Sequence, residues 1–132
     1  MRQTKLAEGP CWGLTSTTAS DQLRLLSDLI TSSSPLTAAS RSYELRLMRH
    51  VESAQAWGAS AAATPGTSPA VNTGLLPDPQ LLVVNSIGVI PHAGHVLLVA
   101  VLSNDQPTEA GGIAQKEAIA VAAVHKIAAA RS

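Results

Sequence analysis

Apolar residues recur at helical intervals in two early segments, then concentrate past residue 70 into two dense runs and an alanine-rich tail. In the first segment Leu23, Leu26 and Ile30 follow Thr18-Ala19-Ser20-Asp21. That tetrapeptide predicts a helix start: the Thr18 hydroxyl can accept from the backbone N–H three residues on, and Asp21 suits the positive end of the helix dipole. Such a cap contributes on the order of 1 kcal/mol. Ser32-Ser33-Ser34-Pro35 ends the segment. A second helix is expected from Thr37 to about His50, with Ala39, Tyr43, Leu47 and Val51 as its apolar stripe and Arg41, Glu44 and Arg49 facing water. Arg46 and Arg49 fall late, where positive charge is favoured. Few residues separate the two helices, so they should be neighbours in space.

Residues 1–14 lack periodicity and contain Gly9-Pro10, which reads as an irregular lead-in to a helical part over 17–51. Strands are expected over 57–103. A short one near Trp57 leads into a loop whose Pro65-Gly66 makes a turn. Leu81 to Ile90 and Val96 to Leu102 are rich in Val, Leu and Ile, and Pro91-His92-Ala93-Gly94 separates them at hairpin distance. Their near-continuous apolar character implies burial on both faces, so helices must cover the sheet on two sides. From 112 to 131 the tail reads as a helix, with Ile113, Ala120, Val124 and Ile127 along one face. The class expected is α/β in the broad sense, more narrowly α+β: an antiparallel sheet of three or four strands, a C-terminal helix and two further helices.

The length of 132 residues fits one domain with a useful core. Apolar residues make up 45%, yet Phe is absent and Trp12, Tyr43 and Trp57 are the only aromatics, so Leu, Val, Ile and Ala must fill the interior. Nine basic and nine acidic residues cancel, which disfavours nucleic acid or an acidic membrane surface as a partner. The first ten residues contain no apolar stretch resembling a signal peptide, and no window approaches the roughly 20 apolar residues of a membrane span. Taken as it stands, the chain is expected in the cytoplasm.

Cys11 is the single cysteine, which excludes an intrachain disulfide and a thiolate metal cluster; an inert thiol is the simpler reading. His92 and His95 flank a hairpin turn without a nearby Cys or acidic residue, so a solvated turn is expected there rather than a metal pair. Ser86 on its strand reads as structural, and His50 and His125 near helix ends suit the dipole. No cofactor is expected.

Val71-Asn72-Thr73-Gly74-Leu75-Leu76-Pro77 precedes Val84-Asn85-Ser86-Ile87-Gly88-Val89-Ile90, the run Val96 to Leu102 and the helical tail. Upstream stand Trp12-Gly13-Leu14-Thr15-Ser16-Thr17-Thr18-Ala19, then Ala38-Ala39-Ser40-Arg41 with Leu47-Met48. In this order, over about residues 12–130, the chain resembles the C-terminal part of a class A β-lactamase, of the penicillin-recognising serine hydrolases. That family opens the β-lactam amide through an acyl-serine, a reaction of antibiotic resistance. It uses a serine with a lysine one helical turn later, a Ser-Asp-Asn loop, a Lys-Thr-Gly strand for the substrate carboxylate and a water-orienting glutamate.

Asn72-Thr73-Gly74 takes the place of the Lys-Thr-Gly strand, with Asn72 where the lysine should be. The amide can still hydrogen-bond, but charge-assisted bonds are roughly twice as strong as neutral ones. Lysines occur only at 5, 116 and 126, preceded at three residues by Arg2, Ile113 and Ala123, so Ser-x-x-Lys is absent. Ser20-Asp21-Gln22 and Ser27-Asp28-Leu29 both fall inside the first predicted helix, where capping explains Ser20-Asp21 better than a catalytic loop does. No Glu-Leu-Asn segment occurs.

The resemblance therefore implies a fragment or degenerate member of the family, a pseudoenzyme with no catalytic residues of its own. Asn72, Thr73 and Gly74 are its only candidate substrate-binding residues. A β-lactam or peptidoglycan-like small molecule becomes a partner if a missing N-terminal half completes the cleft; full-length relatives are secreted. The family pairs its final strand with an N-terminal strand lacking here. The alternative is thus a non-catalytic interaction module pairing, or self-associating, through the edge strand 96–102.

Overall fold

Thr18 opens the first helix as its sequence requires: its Oγ1 accepts the Asp21 N–H at 3.1 Å, and α1 runs over Ala19–Ile30. The computed structural model describes residues 15–77 and 82–130. The expected lead-in over 1–14, with Cys11 and Trp12, lies outside them, as do Leu81 and Arg131. Thr37 caps α2, Ala38–Arg49, by accepting from the Ser40 N–H at 3.1 Å. The His50 ring donates from Nδ1 to the Arg46 carbonyl at 2.7 Å and closes its C-terminal end.

The buried stripes of these helices differ from the expected ones. On α1, Leu26 and Leu29 are buried while Leu23 and Ile30 are exposed. On α2 the apolar stripe through Tyr43 and Leu47 faces outward, with Tyr43 55% exposed, and Met48 is buried with Leu45 packed beside it. Seen along the axis, positions 45 and 48 share one face and 43 and 47 lie on the side away from it, and the face that docks is the one with the flexible thioether. Tyr43 instead lies under the Arg46 guanidinium, 5.3 Å from its ring centre.

No strand forms near Trp57. Two short 3-10 helices, Ser53–Gln55 and Gly58–Ala62, occupy that stretch, and strands begin at Ala70 rather than 57. The reason lies in the composition: Gly58-Ala59-Ser60-Ala61-Ala62 has no β-branched residue to favour a pleat, and Gly58 adopts φ +75°. Thr64 to Thr67 makes the expected turn, the Thr67 N–H reaching the Thr64 carbonyl at 3.1 Å.

β1 (Ala70–Pro77), β2 (Leu82–His92) and β3 (His95–Val101) form a three-stranded antiparallel sheet in the order β1-β2-β3. Thr73 lies opposite Ser86, and Ser86 opposite Val101. Ala93 and Gly94 join β2 to β3 with φ of +48° and +78°, the two positive angles of a type I′ turn. Pro91 is tolerated in the central strand because β1 begins only at Ala70, opposite Val89, and so does not reach it; its carbonyl accepts from the Thr64 N–H at 2.9 Å. Beyond β3 the chain folds back on β2. Leu82 and Gln106 exchange both backbone hydrogen bonds at 2.9 Å, and the Ser103 hydroxyl donates to the Val84 carbonyl at 2.9 Å.

Helices do cover the sheet on both sides. α1 and α2 bring Leu26, Leu29 and Met48 onto Ala70 and Val89. The opposite face packs Val71, Ile90, Leu97, Val99 and Val101 against Ala59, Ala62, Ala120 and Val124. Each large aliphatic side chain so buried contributes about 1.5–3 kcal/mol of transfer free energy. The last helix, α3, spans Glu109–Ala129 and so begins three residues before the expected Gly112. Thr108 caps it through the Gly111 N–H at 3.1 Å. Its buried ridge is Gly112, Lys116, Ala120 and Val124, an i, i+4 row, while Ile127 is exposed. Among the described residues no helix is long and apolar enough to cross a membrane.

Candidate functional site

Asn72, Thr73 and Gly74 lie in the middle of β1, an edge strand, opposite Ile87, Ser86 and Asn85. Together they line a groove of about 770 Å³ with Gln55, Trp57 and the start of α1 at Thr17 and Gln22. The residues singled out from sequence are thus brought together on one open wall. Alternation along the strand separates their side chains, however. Thr73 turns towards the 3-10 helix and donates its hydroxyl proton to the Gln55 carbonyl at 2.9 Å. Only its lone pairs remain for a ligand. Asn72 is exposed on the other face, where it also borders a second groove of about 380 Å³ between α1 and α2, walled by Leu25, Leu29, Tyr43 and Met48. A Cβ built on Gly74 meets nothing within 4 Å, so the space before it is open.

The groove mixes polar and apolar surface, and no described residue of its wall is cationic. Its wall carries amides and hydroxyls from Thr17, Gln22, Gln55, Asn72, Thr73 and Asn85, and among the described residues Glu109 is its one ionisable group. Electrostatics therefore favour an uncharged, hydrogen-bonding ligand there over a carboxylate. The Asn85 carboxamide is partly committed, accepting from the Ser103 N–H at 2.9 Å.

Ser86 is fully buried, and its hydroxyl is spent on structure. It accepts from the Ala59 N–H at 2.9 Å and donates to the Trp57 carbonyl at 3.2 Å. Ser20 and Ser27 lie inside α1, and the neighbouring Asp21 pairs with Arg24 at 2.9 Å. None of these three serines therefore offers an activated nucleophile.

Two groups were missed from sequence. Lys116 is only 1% exposed, and its Nζ donates to the Gln115 Oε1 at 2.7 Å. Burial pushes its amine below the usual 10.5. The signal was available: Lys116 stands four residues from both Gly112 and Ala120, on the row that docks. The second group is His92, expected in a solvated turn. It is half-buried, its Nδ1 lies 2.7 Å from the Ala62 carbonyl, and its ring centre is 5.6 Å from that of His125. Among the described residues no three His, Cys, Asp or Glu side chains are grouped to hold a metal ion.

Compared with protein-family models, with curated proteins and with solved structures, the chain matches none.

Proposed function

We propose that the chain is a degenerate member or fragment of the β-lactamase-like serine hydrolases that keeps the substrate-side wall of a cleft and performs no turnover. One observation carries the reading: Asn72-Thr73-Gly74, set on an edge strand, lines the larger groove. The element order of two helices, three antiparallel strands and a closing helix is in keeping with it. In this reading Asn72 offers a neutral amide where the family offers an ammonium, Thr73 offers acceptor lone pairs, and Gly74 leaves the backbone approachable. Ser86, opposite Thr73, is unsuited to start acyl transfer, because its buried hydroxyl is held by Ala59 and Trp57.

Incubation with a chromogenic cephalosporin is expected to give no hydrolysis, by the chain itself or by an Asn72→Lys variant. The restored cation would add a charge-assisted bond of roughly 1.5–3 kcal/mol to binding, not a nucleophile. Turnover that disappears on Thr73→Ala, or an acyl adduct seen by mass spectrometry, overturns this. Co-expressed with the N-terminal half of a class A β-lactamase, the chain is expected to form a heterodimer; no association on size exclusion removes the family reading.

A second reading, a non-catalytic module that pairs through its last strand, draws on a different observation. Among the described residues nothing pairs with the outer side of β3, and Val96 on it is 60% exposed. A concentration-independent monomer in light scattering eliminates it.

A further inference from the structure

His92 and His125 come from different elements and meet at the hairpin end of the sheet. Their planes are inclined by 51° with ring centres 5.6 Å apart, which leaves a wedge between them rather than a stack. The His92 ring is held: its Nδ1 lies 2.7 Å from the Ala62 carbonyl. A carbonyl only accepts, so Nδ1 carries the proton, and in the neutral ring the lone pair sits on Nε2. Metal-binding imidazoles are oriented in the same way, one nitrogen donating to a carbonyl and the other facing the ion. With zinc–nitrogen bonds of about 2.0–2.1 Å, two imidazoles sharing one ion hold their ring centres roughly 5–6 Å apart. The observed separation falls in that range.

A third histidine belongs to the same hairpin. His95 faces His92 in the last rung of the hairpin and is exposed. Residues directly opposite in an antiparallel pair project from the same side of the sheet, so His95 shares the side on which His92 meets α3.

We propose that His92 and His125 form a binding site for a divalent transition-metal ion of zinc-like character, with His95 recruited as a further ligand and water completing the shell. The three rings are not gathered in advance, so the ion assembles the site as it binds. An ion held there ties α3 to the β2–β3 hairpin and stabilises the native state by mass action.

The test is calorimetric titration of zinc chloride into the full chain carrying Cys11→Ser, which removes the only thiol. One ion per chain is expected, with a zinc-dependent rise in thermal midpoint. Affinity should fall at least about tenfold in His125→Ala and in His92→Gln, the scale of losing a ligand or its orientation. His95→Ala should weaken binding less, and His50→Ala, whose ring closes the end of α2, should not change it. His125 is exposed, so its removal leaves the fold intact, which matching circular dichroism verifies. No binding at millimolar zinc, or unchanged affinity in His125→Ala, overturns the proposal.

Discussion

Gly58 lies directly against Ser86: a Cβ added at 58 would stand 2.3 Å from the Ser86 Cβ and 2.4 Å from its Oγ. The same glycine holds φ +75°, so a side chain there meets both backbone strain and a fully buried neighbour. Gly58→Ala is expected to destabilise the protein by about 3 kcal/mol or more, combining strain with overpacking. Gly66 makes the control, since φ is +81° but nothing lies within 4 Å of its added Cβ. Gly66→Ala should cost only about 1 kcal/mol. Equal losses in urea denaturation of the two variants would show that the Ser86 contact carries no weight.

Among the described residues Lys116 is the one buried cation of the core, and its Nζ donates to the neutral Gln115 amide. Lys116→Met keeps the length of the side chain and removes the desolvated charge. It should stabilise by roughly 1 kcal/mol or more, the scale of an incompletely compensated buried polar group. The pH dependence has a definite sign. Burial lowers the folded-state proton affinity below the usual 10.5, so in the window from the lowered value up to 10.5 the unfolded chain binds more protons. Native stability then rises with pH through that window, and the advantage of the variant shrinks. Thermal melts at neutral and alkaline pH check both statements; an advantage that grows with pH contradicts them.

Ala93 occupies the first central position of the type I′ turn at φ +48°, where Ala has no means of offsetting the left-handed strain. Asn at that position hydrogen-bonds locally and accepts the conformation, and Gly94 already fits the second. Ala93→Asn is expected to add about 0.5–1 kcal/mol. A midpoint unchanged or lowered in thermal unfolding would indicate a different turn.

Val96 and Val99 occupy opposite faces of β3, one exposed and one buried. Val96→Lys should leave the melting point nearly unchanged and raise the concentration at which the protein stays monodisperse. Val99→Lys places a charge among Val71, Leu97 and Val124 and should prevent stable folding, a loss of about 3 kcal/mol or more. Light scattering and circular dichroism of the two variants separate the effects.

Features set by short-range chemistry were legible in the sequence. Thr18 and Thr37 announce their helices because a hydroxyl satisfies N–H groups only a few residues away, and the apolar runs on either side of Ala93-Gly94 announce the hairpin. Docking choices were less accessible. Tyr43 and Leu47 look like a core stripe, but which face of α2 meets the sheet depends on Ala70 and Val89 in a distant segment. The 3-10 turn at 58–62 is likewise held from far along the chain, by Ser86, which reaches back to Ala59 and Trp57. At the candidate site, Asn72-Thr73-Gly74 was singled out by resemblance. The engagement of the Thr73 proton by Gln55 was not legible, since it depends on how the preceding loop packs.

Strand neighbours in the sheet are also neighbours along the chain, and the β2–β3 connection is only the two-residue turn at Ala93-Gly94. In kinetic terms this is a molecule of two regimes. Closing such a hairpin takes on the order of 1–10 μs, because little loop entropy is lost. Seating α3 on Gly58–Ala62 instead requires the end of the chain to find a segment laid down long before the sheet. The meander is therefore expected to condense early and α3 to arrive late. A small cavity at Ala120, made by Ala120→Gly, should speed unfolding more than it slows folding, whereas a better turn at Ala93 should act mainly on the folding rate.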